Sequence, residues 1–181
     1  MSDIRNKSIH RWMLAGIWTG LIYATLYIMR PVCEFFRQYS WFSFCVNGGI
    51  AFVIVLLVLV FVRKKYIRKP ATYFLLFLVM TGYFFGMTLL SIPEERLHFI
   101  EYGVLAFLVY RALMLDFKNG ESYFAAFIIT SFVGLGDEGI QYLLPNRYYQ
   151  LKDVCLNSVS AALGLALVYV ICRDKRINIS R

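Results

Sequence analysis

Charge is scarce in this chain. Asp, Glu, Lys and Arg supply 17% of its 181 residues, against about a quarter in an ordinary globular domain. Histidine occurs twice, as His10 and His98. No HExxH run, GxSxG elbow or Cys-His pairing is present, so the common zinc-protease, serine-hydrolase and cysteine-protease patterns are excluded. The four cysteines (Cys33, Cys45, Cys155, Cys172) are isolated. They give no CxxC spacing, zinc pattern or disulfide framework and are expected as single packed thiols. No polar linker, second soluble domain or internal repeat breaks the chain. No small-residue cleavage site follows the first apolar run, which ends at Arg30-Pro31. That run is expected as a retained span, not a cleaved leader.

Apolar residues fill the space that charge leaves. They make up 60% of the chain, with 18% aromatic and a mean hydropathy of +0.62. Six apolar stretches, 12–29, 41–62, 71–92, 97–115, 122–144 and 153–172, approach or exceed the roughly 20 residues that cross a bilayer as a helix. They lack the period-two alternation of membrane strands, and in lipid a helix satisfies its own backbone. The expected fold is an all-α polytopic bundle of six transmembrane helices. Short loops make neighbours in sequence neighbours in space. The net charge of +8 does not point to nucleic acid, because the basic residues sit in clusters between apolar runs. Fourteen of the nineteen Lys and Arg residues fall at the N-terminus, the second and fourth connections and the C-terminus; five fall on the opposite side. By the positive-inside rule both termini are cytoplasmic, in a multi-pass cell-membrane protein.

With that orientation the fifth and sixth spans form a hairpin with its turn outside. The stretch GDEGIQYLLPNRYYQLKDVCLNS spans it and carries Asp137, Glu138, Gln141, Arg147, Asp153 and Asn157. Asp137 and Glu138 fall roughly 10–12 Å below the outer end of the fifth span, and Asn157 roughly 6 Å into the sixth. The fourth span starts at the same side. Glu94, His98 and Glu101 follow one another at i, i+4, i+7 on one helical face. Three spans thus bring ionisable and amide groups to one outer depth, and charged groups in lipid face the bundle interior or a wet cavity. Small residues support close packing: Asn157, Ser160, Ala161 and Gly164 on the sixth span, Gly134, Gly136 and Gly139 on the fifth, and Gly82 and Gly86 on the third. The same stripes could equally serve dimerisation, so the oligomeric state stays open.

These motifs carry a resemblance. EERLHFIEYGVLAFL resembles the H-x-x-E-Y-x-x-L element of VanZ-like membrane proteins, and DEGIQYLLPNRYYQLKDVCLNSVSAALG resembles their acidic, P-x-R and D-x-x-x-N elements. The resemblance runs over roughly residues 71–172. It divides the chain into residues 1–70, a tail with two additional helices, and residues 71–181, a VanZ-like four-helix domain with a C-terminal tail. It implies a link to teicoplanin-type glycopeptide resistance. Glu101 stands where the namesake has an F-x-P-F-G-type sequence, so the resemblance is to the broader VanZ-like branch.

The functional expectation is a ligand site of His98, Glu101, Asp137, Glu138, Gln141, Arg147, Asp153 and Asn157, open to the outer leaflet. It would bind an envelope lipid or a lipid-linked ligand such as an envelope precursor or a lipoglycopeptide. Arg147 is its fork donor for phosphate or carboxylate. No cofactor and no resident metal are expected. The alternative is an intramembrane enzyme in which His98 and the carboxylates hold a metal or act as acid and base on a lipid-linked substrate. A purely structural role, with the same groups pinning helix ends together, is the third reading. A transporter is disfavoured, because the inner halves of spans four to six offer no polar relay.

Overall fold

The computed structural model describes residues 2–63, 69–90, 92–117, 120–144 and 149–179. Among them every regular element is helical: α1 (Ser2–Arg37), α2 (Ser40–Arg63), α3 (Pro70–Thr88), a 3-10 turn (Pro93–Leu97), α4 (His98–Leu113), α5 (Gly120–Leu143) and α6 (Leu151–Ile179). Four segments, Arg5–Met29, Pro70–Thr88, Gly120–Leu143 and Leu151–Cys172, are long and apolar enough to cross a membrane; Ser40–Val53 is apolar and shorter. α1 outruns the expected 12–29 span. It continues through Pro31 to Arg37, although proline removes one bond of the helical ladder. Leu89 ends α3 after Pro70 opened it, a proline at the first turn losing no intrahelical bond.

Two compact units divide the chain: Met1–Cys33 with His98–Leu165, and Glu34–Leu97 with Ala166–Arg181. In the second unit, aromatic rings staple the turn between α1 and α2. Phe36 meets Trp41 at 5.7 Å and Phe42 at 6.2 Å, and Tyr39 stacks on Trp41 at 5.9 Å. The 3-10 turn docks on α2 in this unit, where Arg96 donates to the Asn47 side-chain carbonyl and to the Leu90 carbonyl at 2.7 Å.

The first unit centres on α4, where Phe99, Tyr102, Leu105, Ala106, Val109, Tyr110, Ala112 and Leu113 are buried. Their i, i+3, i+4 recurrence marks a wide face packed on neighbours. α1 runs antiparallel to α4: Arg11 donates to the Arg111 carbonyl at 2.7 Å, and Trp18 Nε1 to the Glu101 carbonyl at 2.9 Å. At Gly164 of α6, an added Cβ would lie 2.7 Å from the Gly103 Cα of α4, so these two helices meet backbone to backbone.

α5 is the inverse of a soluble amphipathic helix. Its buried face is Ser122, Ala126, Thr130, Gly134, Asp137, Glu138 and Gln141, all small or polar. Its exposed face carries Phe124, Ile128, Phe132, Leu135, Tyr142 and Leu143. In water this pattern would leave large apolar side chains solvated; in lipid it places them in their preferred solvent. None of the four thiols is in a disulfide; Cys33 is buried, while Cys45 and Cys155 are exposed, so the expectation of packed cysteines fails for these two.

Candidate functional site

The polar groups of α5 gather at its C-terminal half. Gln141 follows Asp137 by one turn and Glu138 by three residues, so its amide reaches back to both. Its Nε2 donates to Glu138 Oε1 at 2.9 Å and, less closely, to Asp137 Oδ1 at 3.3 Å. The other oxygen of each acid leaves the helix. Asp137 Oδ2 accepts from the Tyr102 hydroxyl of α4 at 2.7 Å. Glu138 Oε2 accepts from the backbone N–H of Gln150, the residue before α6, at 2.9 Å. One acid therefore ties α5 to α4, and the other ties α5 to the entry of α6. Both acids are 0% exposed.

The Gln150 contact has a local cause. The first N–H groups of a helix have no intrahelical partner, and in an apolar surrounding an unmet donor costs roughly 2–7 kcal/mol. A capping-box acid at the third helical position commonly meets that need from its own helix. Asp153 occupies that position, yet Glu138 supplies the bond from across the hairpin. Asp153 is buried in the first turn of α6, where an acid suits the positive end of the helix dipole.

Deeper in the unit, Asn157 packs against Gly134. A Cβ on Gly134 would meet Asn157 Cβ at 2.8 Å, Asn157 Nδ2 at 3.3 Å and the Tyr102 ring at 3.3 Å. Glycine at 134 is thus what lets the Asn157 side chain of α6 and the Tyr102 ring of α4 both approach α5. Among the described residues, both polar atoms of Asn157 and the Thr130 hydroxyl lack a hydrogen-bond partner while buried.

The structure therefore gathers Asp137, Glu138 and Gln141 around Tyr102 and Gln150, and packs Asn157 and Tyr102 both against Gly134. His98 and Glu101 lie less deep. The His98 ring stacks on Tyr102 with centroids 5.9 Å apart, and its Nδ1 is 3.7 Å from Glu101 Oε2, beyond hydrogen-bond reach. Their side chains are 18% and 30% exposed. Arg147, the expected fork donor, lies outside the described residues.

Sequence reasoning passed over four participants: Trp18, Tyr23, Tyr102 and the Gln150 backbone. Tyr23 of α1 donates to the Val133 carbonyl of α5 at 2.8 Å, and a Cβ on Gly136 would lie 2.7 Å from that phenol oxygen. The signal was available for three of them. A Trp or Tyr inside an apolar helix has a polar tip that must find a partner, and Tyr102 sits inside the H-x-x-E-Y run itself. Nothing in the sequence marks a backbone N–H.

A family model described as VanZ/LLP1 matches residues 50–173, well over half of the chain. The chain belongs to the VanZ/LLP1 family. It is a multi-helical membrane protein of that family, and the match takes in every residue of the α5 cluster together with Tyr102 and Asn157. The VanZ/LLP1 match begins inside α2, earlier than the resemblance over 71–172, and leaves α1 outside it. No curated protein and no solved structure matches the chain.

Proposed function

We propose that this protein holds the polar head of an envelope lipid, or of a lipid-linked ligand, in a site at the outer-leaflet end of a six-span bundle with both termini cytoplasmic. The observation that carries the reading is the buried Tyr102–Asp137–Gln141–Glu138–Gln150 cluster at the C-terminal half of α5 and the N-terminus of α6. Ionisable groups within a membrane helix are costly and mark ligand or ion sites by default. Support for six spans comes from lengths. α2 has 24 residues, enough for about 36 Å. α4 has 16, about 24 Å. The Lys and Arg distribution supports the orientation.

In this reading His98, Glu101, Asp153 and Asn157 border the head group with the α5 acids. Arg147, between α5 and α6 in sequence, supplies the guanidinium that a phosphate or carboxylate requires. The family's link to teicoplanin resistance would then act through the same lipid-linked ligand.

Mass spectrometry of lipids that co-purify with the protein tests this reading directly. One lipid class should be enriched over the bulk membrane, and Arg147→Ala and Asp137→Asn variants that still insert and fold should lose that enrichment. A wild-type lipid profile identical to the surrounding membrane would sink it.

A further inference from the structure

Six hydroxyl groups on the described helices share a pattern. Thr19, Thr25, Thr81, Ser158 and Ser160 donate to the carbonyl four residues back, and Thr88 to the one three back. Such back-bonding hides a hydroxyl from an apolar surround. Thr130, at 0% exposure, and its part-buried neighbour Ser131 have no hydrogen-bond partner among the described residues. Asn157, also at 0% exposure, leaves its carbonyl and its amide unmet. Thr130 lies one turn before Gly134 on the same face of α5, and Gly134 is the residue Asn157 touches. Along the helix the two layers are about 6 Å apart, close to two hydrogen-bond lengths.

We infer that Thr130 and Asn157 form a second polar subsite, beneath the acidic cluster, that binds a neutral O–H group bridging them. The chemistry selects the class. Asn157 Oδ1 needs a donor and Nδ2 an acceptor, and Thr130 can serve as either. A phosphate or carboxylate only accepts, and an ammonium only donates, so each leaves part of the amide unmet. A hydroxyl does both. The acid oxygens above already accept from Tyr102, Gln141 and Gln150, which leaves this layer for an uncharged group. Its source is either an internal water or a hydroxyl of the bound lipid-linked molecule. Only the second source rests on the ligand reading above.

The test is a double-mutant cycle on melting temperature, with Thr130→Val, Asn157→Ala and the pair. Each protein is measured with its native lipid retained and again after exchange into pure detergent. Valine keeps the shape of threonine and removes only the hydroxyl. A bridged hydroxyl predicts that Thr130→Val lowers Tm by about 2–4 °C, and that the double variant loses less than the sum of the singles. Equal losses in both preparations identify water; losses confined to the lipid-retaining preparation identify the ligand's hydroxyl. A Thr130→Val protein whose Tm rises or stays unchanged in both preparations overturns the inference, because a dry orphan hydroxyl is better replaced by methyl. Strictly additive singles overturn it as well. Should Asn157→Ala not fold, the Thr130→Val result decides alone.

Discussion

Gly164→Ala is expected to lower the melting temperature, while Gly139→Ala leaves it unchanged or raises it. The two substitutions are chemically identical, and both sites are helical. At Gly164 the new Cβ meets Gly103 Cα at 2.7 Å, its carbonyl oxygen at 2.9 Å and its carbonyl carbon at 3.1 Å. The obstacle is backbone, so no rotamer change relieves it and α4 and α6 must separate. Overpacking of this kind costs about 1–3 kcal/mol. Separation costs more in lipid, where helix association depends on close van der Waals packing. At Gly139 nothing lies within 4 Å, and alanine gains up to about 1 kcal/mol of helix propensity. Thermal unfolding in detergent reads both effects. Equal responses at the two sites would mean that α4 and α6 do not touch as described.

A second large effect is expected at Glu138, and here the usual conservative exchange is not conservative. Glu138 Oε1 accepts from Gln141 Nε2 and Oε2 from the Gln150 N–H. In a Glu138→Gln variant the new NH2 must face one of these donors. Rotating Gln141 does not help, because its amide also donates to Asp137 Oδ1, and rotation would set its carbonyl against that oxygen. Both Glu138→Gln and Glu138→Ala should therefore lose stability. Losing a hydrogen bond to a charged group costs about 1.5–3 kcal/mol, and stranding a buried donor adds about 1–3 kcal/mol. The loss is local to the entry of α6. Hydrogen exchange at the Gln150 amide should accelerate by an order of magnitude or more, ahead of amides in the middle of α6. A Gln150 amide that exchanges as slowly in both variants as in the wild type would show that Glu138 does not cap α6.

Much of the helical architecture was legible because membrane helices are long and nearly continuous in hydrophobicity. α3, α5 and α6 follow from run length alone. α1 was harder at its C-terminal end, since Pro31 reads as a stop and the helix nevertheless runs on to Arg37. The α5 acids and Gln141 were legible for a related reason: an amide at i+3 and i+4 from two acids, in an apolar stretch, can face only inward. What sequence could not supply was the partner on the other side. The Tyr102 contact depends on how α4 packs against α5. The Gln150 contact involves a backbone group that every non-proline residue carries. His98 and Glu101 share a helical face, as their spacing requires. They still stop short of a hydrogen bond, because spacing fixes direction and not depth.

The contacts of α1 bear on how this chain is compared with its relatives. Trp18 and Tyr23 bond to peptide carbonyls at Glu101 and Val133, next to Tyr102 in α4 and within one turn of Asp137 in α5. The matched family segment starts at residue 50, so the helix that contacts α4 and α5 beside the Tyr102–Asp137 pair lies outside that segment. The line that defines the family and the line that encloses a folding unit are different lines on this chain. A relative aligned only over the matched segment would be compared without the helix that Trp18 and Tyr23 tie to α4 and α5.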